Sequence, residues 1–195
     1  MISQLKIDYI NRLIDESLSE GGDTIELKGK FLGDEGVEAL VKSSKLNNIE
    51  DLDLSNNSIT WRGAVHLFGC DNFKSLKRLY LNDNNISNKG AFALAEASFL
   101  NGLSVLDIHF NNIDTVGGLA IVNCANFQKL QVLNFQENQV GDDTLITLAK
   151  NPSFGNIRKL NFYRTGITIK SIKVLAKSKV LQKKKHLNIG RNYLH

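Results

Sequence analysis

The chain has 195 residues, 42% of them apolar, and a formal net charge of +4. That is the size of one globular domain with enough apolar material for a core. No run approaches the ~18 apolar residues of a membrane helix, so no transmembrane segment is expected. Two cysteines form no disulfide framework, which favours a reducing compartment.

The start of the chain shows no apolar core followed by a small-residue cleavage site, so no conventional export signal is read and the cytoplasm is expected. Charge is sharply divided. From position 144 onward there are 12 Lys or Arg and no acid, which leaves 12 bases and 20 acids for the first 143 residues. A front at −8 and a tail at +12 make a dipolar molecule able to steer charged partners.

Residues 2–18 place Ile2, Leu5, Tyr9, Leu13 and Ile14 on one helical face, and Ser19-Glu20-Gly21-Gly22 ends the helix. Residues 1–21 are therefore expected to form an N-terminal capping helix. From 22 to 195 a motif recurs every 27 residues, seven times, anchored at Ile25, Leu52, Leu79, Leu106, Leu133, Leu160 and Leu187. Two positions on stand Leu27, Leu54, Leu81, Ile108, Phe135, Phe162 and Ile189. Five further on stand Leu32, Ile59, Ile86, Ile113, Val140, Ile167 and Leu194. Between them fall Asn57, Asn84, Asn111, Asn138 and Asn192, with Lys30 and Thr165 as departures.

Alternating apolar sites predict short parallel strands with one buried face. The Asn side chains are expected to satisfy backbone groups in the bend after each strand, a structural duty. Thr60, Ser87, Asp114 and Thr168 share one repeat position and predict helix N-caps. Gly36, Gly63, Gly90 and Gly117 fall where neighbouring repeats approach closely. Leu46, Phe73, Leu100, Phe127, Phe154 and Leu181 predict an apolar spine. Cys70 and Cys124, two repeats apart, lie beyond the ~7 Å reach of a disulfide and read as buried small residues.

The pattern L-x-x-L-x-L-x-x-N-x-[LI] is that of a leucine-rich repeat. Asn84-Asn85-Ile86 followed by Gly90-Ala91-Phe92-Ala93-Leu94 resembles the ribonuclease-inhibitor-like class of these repeats. The resemblance spans residues 22–195, with the seventh repeat incomplete. It implies an α/β solenoid, a right-handed strand–helix horseshoe with a concave parallel sheet and convex helices. It also implies a non-catalytic module that holds a protein partner on the concave face, as ribonuclease inhibitor occludes an enzyme. The class includes Ran GTPase-activating proteins, so regulation of a GTPase is an alternative, although no stretch beyond the repeat consensus aligns. Abundant Asn, Lys and Ile in a small chain without an export signal is similar to leucine-rich-repeat effectors of intracellular bacteria such as Legionella. That likeness implies a secreted effector, or the regulator of one, in a host cytoplasm. The chain stops at His195 just past the seventh strand; a longer parent protein, pairing through that open edge and a tolerated polar end all remain open, as does the oligomeric state.

Strand alternation sends the residues flanking the buried leucines into the concavity. One row reads Glu26, Asp53, Tyr80, Asp107, Asn134, Asn161, Asn188, and the next Lys28, Ser55, Asn82, His109, Gln136, Tyr163, Gly190. A third holds Asn56, Asp83, Phe110, Glu137, Arg164 and Arg191; the opposite flank holds Asp51, Arg78, Val105, Val132, Lys159 and His186. An acidic zone (Glu26, Asp51, Asp53, Asp83), an apolar and aromatic centre and a basic zone (Lys159, Arg164, Arg191) are expected. Aromatic residues and Arg dominate interface hot spots. The candidate partner-binding residues are Asp53, Tyr80, Val105, Asp107, His109, Phe110, Val132, Gln136, Tyr163, Arg164 and Arg191. Trp61, outside these rows, reads equally as a side contact or a locally packed ring.

Nothing points to catalysis. Asp107 and His109 share a strand, but no Ser or Cys nucleophile sits beside them and Ser55 is two repeats away. His66, His109, His186 and His195 are too dispersed for zinc. There is no phosphate loop or paired-carboxylate pocket, so no enzyme and no cofactor are expected. Lys177, Lys179, Lys183, Lys184 and Lys185 give the remaining alternative, an anionic partner (nucleic acid or membrane) at the basic end. Nucleic acid is the less favoured reading, because lysines also protect an open sheet edge.

Overall fold

The computed structural model describes residues 2–70 and 72–193. Met1, assigned above to the cap, and Leu194 and His195, assigned to the seventh repeat, lie outside the described residues. Helix α1 (Gln4–Ser17) precedes seven strands: β1 (Thr24–Glu26), β2 (Asp51–Asp53), β3 (Arg78–Tyr80), β4 (Val105–Asp107), β5 (Val132–Asn134), β6 (Lys159–Asn161) and β7 (His186–Asn188). Between them run α2 (Gly33–Leu40), α3 (Trp61–Phe68), α4 (Ser87–Glu96), α5 (Thr115–Asn123), α6 (Gly141–Leu148) and α7 (Ile169–Ala176). The strands form one parallel sheet in sequence order. Leu52 lies beside Ile25 and Leu79, and Leu106 beside Leu133, so each pairing steps by one repeat.

Sheet and helices make two walls, and the core fills the slot between them. The anchors from Ile25 to Leu160, their partners two residues on from Leu27 to Phe162, and the six-residue spine are all buried. Burying each such side chain is worth about 1.5–3 kcal/mol. Gly63 and Gly90 sit where helices meet: a Cβ at Gly90 would overlap the Ile86 Cγ2 methyl and lie 2.9 Å from Ala64 Cβ.

The Asn residues form a ladder along the stack. Asn138 Oδ1 accepts from the Asn111 N–H (3.1 Å) and the Ile113 N–H (3.0 Å), while its Nδ2 donates to Ile108 O (2.9 Å) and Phe135 O (3.1 Å). Thr165 keeps only the donor half, its hydroxyl donating to Phe162 O at 2.9 Å. There the Asn138 N–H turns to Phe135 O instead, at 3.1 Å.

Two expectations are corrected. Leu5 is not on the buried face of α1; it is 83% exposed, and Ile10 packs with Leu13 and Ile14 instead. The rotation is set by tethers to the first repeat: Tyr9 Oη donates to Lys30 O (2.9 Å) and Lys6 Nζ to Phe31 O (3.2 Å). Ser87 is not an N-cap. Thr60, Asp114 and Thr168 do cap their helices, accepting from Arg62, Val116 and Lys170 N–H, but Ser87 is left-handed (φ 57°), as are Gly33 (59°) and Gly141 (68°). The 27-residue repeat is thus the half-period of a 54-residue one, in which two turn types alternate. Asp34, Asn88 and Asp142 in one type accept from the backbone N–H of Thr60, Asp114 and Thr168 in the next, at 2.7, 3.0 and 2.7 Å.

No helix among the described residues is long and apolar enough to cross a membrane. Cys70 and Cys124 are not bridged to one another. The Cys124 thiol donates to Ile121 O (3.1 Å), and burial pushes its pKa up. The outer edge of β7 meets no further strand among the described residues, and Leu187 is exposed.

Candidate functional site

Each strand is only three residues long; in β1 to β6 the middle side chain is buried in the core and its neighbours are not. The outward positions bring Asp53, Tyr80 and Asp107 into one row, and Val105 and Val132 side by side in the flanking one. His109, Gln136, Tyr163, Phe110, Arg164 and Arg191 lie past the strand ends, in the turn. The third row is left-handed throughout, with φ between 52° and 57° at Asn56, Asp83, Phe110, Glu137, Arg164 and Arg191. For a bulky side chain that conformation costs about 1–2 kcal/mol.

At the centre, His109 Nδ1 donates to Asp107 Oδ1 (2.6 Å), and Asn134 Nδ2 donates to Asp107 Oδ2 (3.0 Å). Asp83 Oδ2 stands 3.7 Å from His109 Nε2. Burial pulls the imidazole pKa down, but the hydrogen bond and charge of Asp107 and the charge of Asp83 outweigh it and hold the pKa above its ordinary value. The Phe110 ring meets His109 edge-on at 5.7 Å and remains 45% exposed. Toward the N-terminal end, Asp53 Oδ1 accepts from the Ser55 N–H (2.8 Å), and Tyr80 is half-buried beside it. Burial, then the Asp51 charge, raises the Tyr80 phenol pKa. Toward the other end, Gln136 Oε1 accepts from Asn161 Nδ2 (3.0 Å), and Arg191 stacks over Tyr163 at 5.9 Å. Gly190 leaves room for the Tyr163 ring, which a Cβ would approach to 3.2 Å.

Two expectations about this face change. Ser55 and Asn82 do not line it; both are buried, the Ser55 hydroxyl donating to Asn82 Oδ1 at 2.6 Å. Small side chains in that row fold under the turn, whereas the longer His109, Gln136 and Tyr163 reach out. The charge zones are partly neutralised from within: Arg78 pairs with Asp51, and Arg164 Nη1 lies 2.8 Å from Glu137 Oε1. Trp61 is the first residue of α3 and is held between Lys89 (4.6 Å) and Arg62 (4.9 Å).

Two hollows open on the sheet. One of about 480 Å³ lies over Asp107, Val132, Asn134, Lys159, Asn161 and His186; one of about 270 Å³ lies over Glu26, Asp51, Asp53, Arg78 and Tyr80. A third groove, about 770 Å³, runs along the loops that precede the strands and is lined by Lys77, Lys129, Arg158, Glu50 and neutral polar residues among others. Sequence reasoning missed it, because its bases come from loops rather than strands. Among the described residues no three His, Cys, Asp or Glu side chains converge as metal ligands.

A parallel sheet growing by one strand per repeat, backed by helices and threaded by an Asn ladder, defines a leucine-rich-repeat solenoid of the α/β class. Family models described as leucine-rich repeats match residues 48–70, 74–95, 103–122 and 128–149, and the chain is a leucine-rich-repeat protein. No curated protein matches the sequence. Among solved structures, an internalin (inlF) from Listeria monocytogenes superposes with a TM-score of 0.56 at 19% identity, over 82% of this chain and 38% of that one. The C-terminal domain of tropomodulin from Caenorhabditis elegans gives 0.46 at 13% identity, over 91% of this chain and 92% of that one. A plant peptide hormone receptor, RGFR1 in complex with RGF2, gives 0.46 at 15% identity, over 80% and 26%. The chain therefore spans just over a third of the internalin's length, and the likeness at these identities is one of fold.

Proposed function

We propose that this protein is a non-catalytic recognition module that grips a partner protein on the sheet face, across the third to seventh repeats. The observation that carries the reading is Phe110. It is a large apolar side chain, nearly half exposed, kept in a left-handed conformation that Gly or Asn would adopt more cheaply. Around it Val105, Val132, Tyr80 and Tyr163 supply apolar and aromatic area, while Asp107, His109, Arg164 and Arg191 supply the polar frame. That is the make-up of an interface with a few anchors and a polar rim. Binding there would occlude the partner's own site, which is inhibition by coverage. A host-cell protein is the partner class that the resemblance to intracellular-bacterial effectors favours.

The test is affinity capture with the wild type beside a Tyr80→Ala, Phe110→Ala, Arg164→Ala variant. A partner retained by the wild type and lost by the variant supports the reading. Equal retention by a folded variant moves the interface elsewhere. The basic groove over Lys129 and Arg158 favours a second reading, an acidic partner segment at the loop edge. Capture that survives the triple variant and fails with Lys129→Glu, Arg158→Glu would establish it.

A further inference from the structure

The helical wall, opposite the sheet, carries an apolar stripe that the recognition face does not use. Residues 27 apart occupy equivalent sites on successive helices, and one row reads Glu38, Val65, Phe92, Leu119, Ile146, Lys173, of which Val65, Phe92 and Lys173 are exposed and Glu38, Leu119 and Ile146 half-buried. Val65 is 46% exposed, Phe92 44% and, one turn before Leu119, Val116 56%. Helix α5 has no charged residue: Gly117, Gly118, Ile121 and Val122 are buried and Leu119 packs partly on the core, while Val116 stays exposed. An uncharged, largely apolar helix suits an interior, yet the outer side of this one leaves Val116 exposed.

The ends of the row say what covers it. The row starts with an acid and finishes with a base, and its midpoint falls between α4 and α5. The next row has the same symmetry, with Glu35 and Arg62 at the front and Asp143 and Lys170 at the back. We infer that this stripe pairs with a second copy of the chain, antiparallel, about a two-fold axis lying between α4 and α5. Such an axis sets each row against itself in reverse. Phe92 then faces Leu119 of the second copy, Val65 faces Ile146, Arg62 faces Asp143, Glu35 faces Lys170 and Glu38 faces Lys173.

The charges of these two rows favour this register over its neighbours, while one turn farther along the helices Lys42 would face Lys177. Sliding by one repeat toward the N-terminus sets Lys89 against itself and Glu35 against Asp143. Sliding the other way sets Arg62 against Lys170, although Lys89 then meets Asp143. Both alternatives place like charges together, a repulsion that costs specificity-determining free energy. The same orientation lays the −8 front of one copy along the +12 tail of the other. Contact is tightest at the axis, on α4 and α5, and the charged couples farther out act as steering. The sheet stays open in both copies, so the arrangement gives a bivalent module.

Sedimentation velocity of the full chain across the micromolar range tests this, at low and high salt. A dimer is expected, weakened by salt because its charged couples are screened. Phe92→Glu should yield a monomer with unchanged circular dichroism and melting. Arg62→Asp should raise the dimer Kd about tenfold or more, and Arg62→Asp combined with Asp143→Arg should restore it. A monomer at every concentration overturns the inference. So does a dimer indifferent to Phe92→Glu, as pairing through β7 would be, or a charge swap that fails to rescue.

Discussion

Asn138→Ala is the substitution that most directly probes what holds the recognition turn in place. Asn138 is buried, and its Oδ1 is the acceptor for two buried N–H groups, of Asn111 (3.1 Å) and Ile113 (3.0 Å), which bracket the bend just after Phe110. Alanine leaves both donors without a partner and without water. Each orphaned donor costs about 1–3 kcal/mol, so the loss is about 4 kcal/mol in all. The carbonyls bonded by Nδ2 suffer less, since Ile108 O also receives Asn111 Nδ2 at 3.1 Å. For a chain of this length that corresponds to a fall in Tm of roughly 8–16 °C. Asn192 supplies the control: it accepts from Thr165 N–H (2.8 Å) and Gly166 N–H (3.0 Å) in the same way but is half-buried. Water can replace it, so Asn192→Ala should cost about 1 kcal/mol. Urea unfolding of both variants measures the difference. Equal losses, or a cost below about 1 kcal/mol for Asn138→Ala, would refute the claim that orphaned donors dominate.

Gly90→Ala should destabilise by about 1–3 kcal/mol through overpacking against Ile86 and Ala64, read as a lower melting temperature. Leu5→Ser should change stability by less than about 0.5 kcal/mol, whereas Leu13→Ala should cost about 2–5 kcal/mol, because only the second side chain is buried. His109, whose folded pKa is raised, stabilises the fold most when protonated. Its contribution is complete below the unfolded value of about 6.5 and is lost as pH rises through the folded pKa. NMR titration of His109 should place its midpoint above that of an unfolded peptide, and His109→Gln should flatten the pH dependence of Tm across that window. A midpoint at or below the peptide value would show that burial outweighs the two carboxylates.

The 27-residue period was legible because burial recurs with it: each buried anchor from Ile25 to Leu160 was identifiable by spacing alone. The 54-residue period was not, because Thr60, Ser87, Asp114 and Thr168 are all competent caps, and composition at that one site hides the alternation. The signal lay in Gly33 and Gly141, which share that site at the same parity as Ser87, and in Asp34 and Asp142, which align with Asn88 one position on. The sheet-face rows were readable to the level of which side chains leave the core. How far each one reaches depends on its length past a three-residue strand, which is why Ser55 and Asn82 vanish beneath the turn while Tyr163 emerges. The Asp51–Arg78 and Glu137–Arg164 pairs each lie within one row, one repeat apart, so the rows held that information too. The turn of α1 that exposes Leu5 depends instead on tethers to Lys30 and Phe31, and no helical pattern encodes a tether.

The left-handed row ties these observations to function. In the first repeat that site is Gly29 (φ 67°), which is the least costly occupant. Asn56 and Asp83 come next, both tolerant of the conformation. Then the sequence changes character: Phe110, Glu137, Arg164 and Arg191 occupy four consecutive repeats, all with φ between 52° and 57°. A chain selected for stability alone gains from Gly or Asn at every one of these sites. The costly residues instead coincide with the repeats that carry Val105, Val132, His109 and Tyr163; Phe110, Arg164 and Arg191 are exposed at the rim of the same sheet, while Glu137 is largely covered by its pair with Arg164. Backbone strain concentrated where large side chains stay exposed is the pattern expected of a binding surface. Within this row the strain therefore supports the fourth to seventh repeats as the gripping half of the face; outside the row, the first repeat carries one strained and exposed aromatic of its own, Phe31 (φ 53°, 83% exposed).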